Sequence, residues 1–351
     1  GFTIDDSAQI INPSEGITGL VLRSGDPLLV RDLERDLRIN RVQIGRYKTS
    51  SFVSVPILQA QDVVGVLNAA DKKDGTAFDF FEMRVLTTVA NQIGDACARI
   101  ESREREVELQ SYRRDMETAA RIQLHSLPKV PGMLAGMQIA ARYEACREVG
   151  GDFYDLVYHS DDRISLLIAD VAGKGVPAAL FMEFSKTLLA GLIPRNMDPV
   201  ATLEQANEEV YANSEGGIFV TVMLIQIERE LSRLRYGSAG HNRQLLYRVK
   251  EKSIEQLSAR GAPLGILPGG KYTASSIDYE PGDILVLYTD GITECCNVDQ
   301  EEFGEERLYQ CLHSCHQEGV EALRDRIFAS MQEFRGETEP FDDSTLMLVR
   351  L

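Results

Sequence analysis

The chain has 351 residues, room for about two domains, and 44% of it is hydrophobic, enough for packed cores. Its net charge of −17, from 37 basic and 54 acidic residues, argues against nucleic acid or an anionic membrane as the main partner. The six cysteines (Cys97, Cys146, Cys295, Cys296, Cys311 and Cys315) have no disulfide-framework spacing, which points to a reducing cytoplasm.

The sequence opens on Gly1 rather than Met, so a cropped or processed start is expected. Gly16–Val30 reads as a short helix, a turn and a strand. Arg31–Lys48 is polar and loop-like, with room for a helix. Ser51–Ile57 and Val63–Ala69 read as a strand pair turning over Gln59–Asp62. The phrases Ser54-Val55-Pro56-Ile57 and Gly65-Val66-Leu67-Asn68, followed by Phe78, resemble the last two-thirds of a GAF sensory domain. Residues 1–80 are therefore expected to be a partial GAF-like domain.

Residues 81–127 read as one long helix. Leu86, Ile93, Ile100 and Val107 recur seven apart, a coiled-coil spacing. The stretch 99–117 is densely charged, too polar to be held well as a lone helix, so a parallel two-stranded coiled coil and a homodimer are expected. Pro128 ends the helix and Pro131-Gly132 follows as loop.

From residue 128 the pattern changes. Strands are expected at Gln138–Tyr143, Phe153–Tyr158 and Ile164–Asp170, then helices at Val176–Ile193 and Pro199–Asn213. No apolar run is expected to reach membrane-spanning length; Val176–Ile193 comes nearest, but Glu183 and Lys186 interrupt it. Strands resume at Phe219–Glu228, Arg233–Ala239, Gln244–Val249, Lys271–Asp278 and Asp283–Tyr288. Helices at about Glu305–Gln317 and Val320–Phe334 precede a last strand, Ser344–Arg350. Strands in blocks and helices in pairs suggest an α/β (α+β) fold of two packed sheets flanked by helices. Cys311 and Cys315 share a face of the first of the late helices while His313 points elsewhere, which reads as packing rather than metal binding.

The chemistry concentrates at strand ends. Phe153–Tyr158 and Ile164–Asp170 form a hairpin signal whose outer ends, Asp152 and Asp170, should lie side by side. Two carboxylates so placed repel unless a cation neutralises them or one takes a proton. A further strand ends in Asp290-Gly291, and the last strand begins at Asp342-Asp343. Each such Asp taken singly reads as a turn or cap; together they suit a hydrolytic site built on hard divalent cations.

The ordered motifs Glu148–Asp155, Ala169–Gly175, Ser238–Asn242, Tyr288–Glu294 and Asp342–Thr345 resemble the PPM family of metal-dependent Ser/Thr protein phosphatases, and more closely its SpoIIE/RsbU branch, over roughly residues 119–351. Gly150-Gly151-Asp152-Phe153 alone also resembles diguanylate cyclases, but Phe153 stands where those need an acid. The PPM resemblance implies an αββα sandwich over residues 128–351, and Asp152, Asp170, Asp290 and Asp342 as the carboxylates of a Mn²⁺ or Mg²⁺ two-metal centre. It further implies the Val171 carbonyl as a ligand and Arg147 as the phosphate-binding cation. Asp342 is preferred to Asp343 because the family's ligand is the first of the pair. Eukaryotic members carry a His after the second metal Asp; here Val171-Ala172-Gly173-Lys174 stands there, so no general acid is assigned. His241 reads as structural. The branch implies a cytoplasmic stress-signalling enzyme acting on a phosphorylated STAS-type anti-sigma-factor antagonist. The alternative is a catalytically silent partner-switching scaffold, which would need none of the four Asp residues.

Overall fold

The computed structural model describes residues 16–38, 49–196, 198–214 and 217–351. The chain divides into two compact units, Gly1–Arg113 and Arg114–Leu351. The helix allowed for in the Arg31–Lys48 stretch falls outside the described residues from 39 to 48; residues 31–38 form turns.

The first unit begins with helix α1 (Gly16–Ser24) and strand β1 (Leu28–Val30), then β2 (Phe52–Gln59) and β3 (Asp62–Ala70). They form an antiparallel sheet in the order β1-β2-β3. Alternation along β2 splits its contacts. Phe52 joins Val21, Leu28 and Val30 under α1, while Val53 and Val55 join Phe78 and Ala90 on the other face. Helix α2 (Phe80–Ser126) starts at a capping box, in which Asp79 and Glu82 each accept the other's backbone N–H, at 2.9 and 3.0 Å. It comes so close to β2 that a Cβ at Gly94 would lie 1.9 Å from the Leu58 carbonyl oxygen, so only glycine fits there. Farther along, Ile100 and Val107 are 58% and 60% exposed, so the second half of the heptad stripe has no partner within the described chain.

The second unit contains the strands β4 (Met133–Leu134), β5 (Met137–Glu144), β6 (Phe153–Tyr158) and β7 (Arg163–Val171), then helices α3 (Val176–Asn196) and α4 (Pro199–Asn213). Strands β8 (Val220–Glu228), β9 (Arg233–Ala239), β10 (Gln244–Arg248), β11 (Ser253–Leu257), β12 (Ala274–Asp278) and β13 (Ile284–Tyr288) follow. The one-turn helix α5 (Asp290–Thr293), then α6 (Gly304–Cys315), α7 (Val320–Arg335) and β14 (Ser344–Arg350) complete the unit. Two sheets result, a six-stranded one ordered β11-β10-β13-β14-β5-β4 and a five-stranded one ordered β12-β9-β8-β7-β6.

Period-two alternation assigns the layers. In β13, Leu285 and Leu287 point into the core between the sheets, whereas Ile284, Val286 and Tyr288 point to the core under α6 and α7. Met347 and Val349 of β14 divide from Leu346 and Leu348 in the same way. Helices α3 and α4 cover the five-stranded sheet, which makes the αββα sandwich that the resemblance implies. One expectation is corrected. Helix α3 is long and apolar enough to cross a membrane by length and composition alone, because an 18-residue stretch of it keeps a mean hydropathy of 1.4 despite Glu183 and Lys186. Here α3 packs as a core helix, burying Ala178, Met182, Leu189, Leu192 and Ile193.

Candidate metal-dependent active site

The β6–β7 hairpin is in the expected register. Phe153 pairs with Ala169, which sets Asp152 and Asp170 opposite each other just beyond that pair. Asp170 also lies across from Thr221 of β8. The end of β13 supplies Asp290 and the start of β14 supplies Asp342 and Asp343, from the facing sheet. Carboxylates from both sheets therefore meet at one rim of the sandwich.

Their electrostatics are in conflict. Burial first, then the Asp170 charge, raises the pKa of Asp152 well above the usual carboxylate range. Asp170 is pushed up to about 7 by burial and by Asp290, Asp342 and Asp343. With both pKa values raised, the pair favours holding a proton where no cation neutralises it. Burial and then Asp342 raise Asp290. Among the described residues the one ion pair at the rim is Lys174 Nζ to Asp342, at 3.0 Å. Lys174 also lies 3.7 Å above the Phe341 ring and donates to the Phe341 carbonyl.

Asp342 and Asp343 do different jobs. Asp343 is buried, and both its oxygens are taken by backbone amides, Cys146 N at 2.8 Å and Gly151 N at 2.6 Å. It holds the loop before β6 in place. Asp342 is half-buried and, apart from Lys174 and the Asp343 amide, is free to face the rim. The glycines explain how the loop fits. A Cβ at Gly150 would lie 2.1 Å from Asp343 Oδ2, and one at Gly151 would lie 2.8 Å from the Val171 carbonyl oxygen.

Several contacts were not readable beforehand. Thr289 and Thr345 both donate to Asp152 Oδ2, at 2.6 and 2.7 Å. Gln123, buried near the end of α2, donates to the Gly150 carbonyl at 2.7 Å and accepts from the Gly150 amide at 3.1 Å. The motif letters contain both threonines, but nothing in a sequence states what a hydroxyl touches. His241 is half-buried, with its Nε2 enclosed, and its Nδ1 meets Thr221 Oγ1 at 2.8 Å, on the strand beside Asp170. Burial lowers its pKa to about 4, so it is neutral and suits a structural part. Arg147 is exposed and forms no ion pair among the described residues; its Nη1 would lie 3.9 Å from a Cβ on Gly175, beside the loop carrying Lys174.

The donor set is oxygen-rich, as a hard divalent cation requires. Among the described residues, the group whose ligand-type atoms all lie within 4.8 Å of one another is Cys146, Asp342 and Asp343. Cys146 has a thiol pushed up to about 12, by burial and then by Asp343, so it stays protonated and adds no anionic ligand. Cys311 and Cys315 are buried in the core under α6 and form no such cluster with His313 among the described residues.

Comparison with known proteins agrees with this geometry. Residues 160–351, more than half of the chain, match the family described as Stage II sporulation protein E, and residues 2–98 match a GAF domain. The phosphoserine phosphatase RsbU of Bacillus subtilis is 32% identical over 247 residues, covering 69% of this chain and 71% of that protein. Protein IcfG of Synechocystis sp. is 28% identical over 320 residues, covering 82% of this chain, which spans 46% of its length. The solved PP2C domain of SiaA from Pseudomonas aeruginosa superposes with a TM-score of 0.63 at 21% identity, over 70% of this chain and 98% of that one. The fold, the rim of carboxylates and these matches together place the chain in the SpoIIE family, the SpoIIE/RsbU branch of the metal-dependent PPM-type phosphatases, behind an N-terminal GAF domain.

Proposed function

We propose that this protein hydrolyses phosphoserine or phosphothreonine on a partner protein, using two Mn²⁺ or Mg²⁺ ions. The observation that carries the reading is the meeting of Asp152, Asp170, Asp290 and Asp342 from two facing sheets, with Lys174 the one basic side chain paired among them within the described residues. These four carboxylates and the Val171 carbonyl would hold the ions. The chemistry supplied there is activation of a water nucleophile and neutralisation of charge on the phosphoryl group. Arg147, exposed and without an ion pair among the described residues, would bind a substrate phosphate bidentately. Lys174 keeps a second positive charge beside Asp342. Asp343 and the two glycines fix the loop from which Asp152 emerges.

The proposed substrate is a STAS-type anti-sigma-factor antagonist; its support is the likeness to a protein named as a phosphoserine phosphatase, RsbU. A homodimer through a coiled coil over residues 81–117 is part of the proposal, supported by the exposed seam of Ile100 and Val107. The proposed domain division is 1–80 sensor, 81–127 helical linker and 128–351 phosphatase. A cytoplasmic location is proposed from the six free cysteines. The alternative, a silent scaffold, has no use for four converging carboxylates. The test is release of phosphate from p-nitrophenyl phosphate and from a phosphoserine STAS protein, with and without Mn²⁺. Metal-dependent turnover is expected; no turnover at any Mn²⁺ concentration would leave the scaffold.

A further inference from the structure

Asp152 is held differently from the other rim carboxylates. Both of its hydroxyl partners bind the same atom, Oδ2: Thr289 Oγ1 at 2.6 Å and Thr345 Oγ1 at 2.7 Å. Asp152 is 1% exposed and both threonines are fully buried. The direction of these bonds is set by the backbone. Thr345 N–H donates to Thr289 Oγ1 at 2.9 Å, so that oxygen is already an acceptor and its own proton goes to Asp152. Thr289 N–H in turn donates to the Thr345 carbonyl at 3.1 Å, next to the last β13–β14 register pair, Tyr288 with Leu346. Both side chains are β-branched and stiff at χ1, so the pair is a rigid fork fixed to the sheet.

A carboxylate oxygen offers two in-plane lone pairs. Those of Oδ2 are both occupied by the fork, which leaves Oδ1 as the oxygen for a cation. The same strand ends carry Asp290, one residue after Thr289, and Asp342, three residues before Thr345. We propose that Thr289 and Thr345 are positioning residues that fix the rotation of the Asp152 carboxylate, so that Oδ1 alone is presented to the metal centre in register with Asp290 and Asp342. This rests on the metal-centre reading above. It differs from plain satisfaction of a buried charge, which would alter stability but leave cation affinity unchanged in molecules that fold.

The experiment is Mn²⁺ binding by titration calorimetry, with metal-free thermal melts as the folding control. It compares wild type, Thr289→Val, Thr345→Val, Thr289→Ser, Thr345→Ser, Asp152→Asn and the double variant Asp152→Asn/Thr345→Val. Valine keeps the shape and removes the hydroxyl; serine keeps the hydroxyl. Each valine variant is expected to bind Mn²⁺ about 10–100-fold more weakly, the usual effect of losing an outer-shell partner, and each serine variant to stay within about threefold of wild type. In the Asp152→Asn background the valine change should add no further loss. If one valine variant does not melt cooperatively, the other and the double variant carry the test. Wild-type affinity in the valine variants, or serine variants as weak as valine ones, would overturn the inference while leaving the metal centre standing. Absence of Mn²⁺ binding by wild type would overturn the metal-centre reading itself, and this inference with it.

Discussion

Strand β13 has an aspartate at each end, and the two have opposite surroundings. Asp283 precedes the strand. It is 2% exposed, yet Arg248 Nη1 and the amides of Val249 and Glu280 all bind its carboxylate at 3.0–3.1 Å. Asp290 follows the strand, half-buried, facing Asp342 and Asp170, with no ion pair of its own among the described residues. The fold supplies every partner at the first corner and leaves the second short of positive charge. A carboxylate that the chain neutralises itself serves stability. One that is buried among like charges raises the energy of the free protein and waits for a cation from outside.

Exchanging each aspartate for asparagine should separate the two roles. We predict that Asp290→Asn lowers Mn²⁺-dependent turnover by at least about 100-fold, roughly 2.7 kcal/mol of transition-state stabilisation. The same change removes one of several repelling charges, so the metal-free melting temperature should hold or rise. Turnover comparable to wild type in EDTA-washed Asp290→Asn protein would falsify the assignment of this residue. Asp283→Asn should do the reverse. Loss of the charged partner of Arg248 in a buried corner costs about 2–4 kcal/mol. Urea unfolding should show this loss, while Mn²⁺ affinity measured on the folded protein stays at the wild-type value.

The comparison can also be sharpened with pH. The pKa of Asp170 is raised from 3.8 to about 7, by burial first and then by its acidic neighbours. Between those values the folded state keeps a proton that the unfolded chain has lost, so metal-free stability falls as pH rises through this window and levels off above it. His241 acts in the other direction. Burial lowers its pKa from 6.5 to about 4, so its contribution is present above 6.5 and is lost as pH falls toward 4. Melts in EDTA from pH 4 to 8 should show the fall toward neutral pH in wild type and a smaller one in Asp170→Asn, where the raised Asp152 and Asp290 still contribute. Saturating Mn²⁺ should cancel it, because the cation binds the deprotonated form. A neutral-side fall of equal size in Asp170→Asn would assign it to another group.

What the sequence made legible follows from what carries periodic information. The Asp152–Asp170 pairing could be read because a hairpin with a definite turn has one register, and its strands alternate clearly. The two sheets and their helix layers were readable from strands in blocks and helices in pairs, but which face of β13 and β14 meets which layer was not, because both faces are apolar. Strand β11 was missed because it is a polar edge strand, Ser253-Ile254-Glu255-Gln256-Leu257, with only Leu257 buried. The single turn α5 is too short to have a period. The fork of Thr289 and Thr345, and the work of Asp343 on two backbone amides, depend on tertiary distance alone, to which spacing along the chain is blind.

The smallest effect we predict concerns the helix that leads into the phosphatase unit. Gln123 holds Gly150 by both its amide and its carbonyl, and Gly150 lies two residues before Asp152. Ser126 Oγ also bonds Glu183 of α3. The Gln123 contact is the shorter route to the rim, because any turn of α2 about its axis must drag the Gly150 peptide or break two buried hydrogen bonds. The heptad stripe lies on this same helix, so insertions of one to four residues within 103–108 would rotate its last turns by about 100° per residue. We predict that such insertions change Mn²⁺ affinity or basal turnover by about fivefold, the lower end of the usual coupling range. The size should vary with insertion length, because four residues nearly restore the phase and two do not. Gln123→Ala should remove that dependence, since the helix end would then turn without moving Gly150. A dependence that survives in Gln123→Ala would shift the route to the Ser126–Glu183 contact. Insertions that all behave as wild type would make α2 a tether whose orientation the rim does not feel.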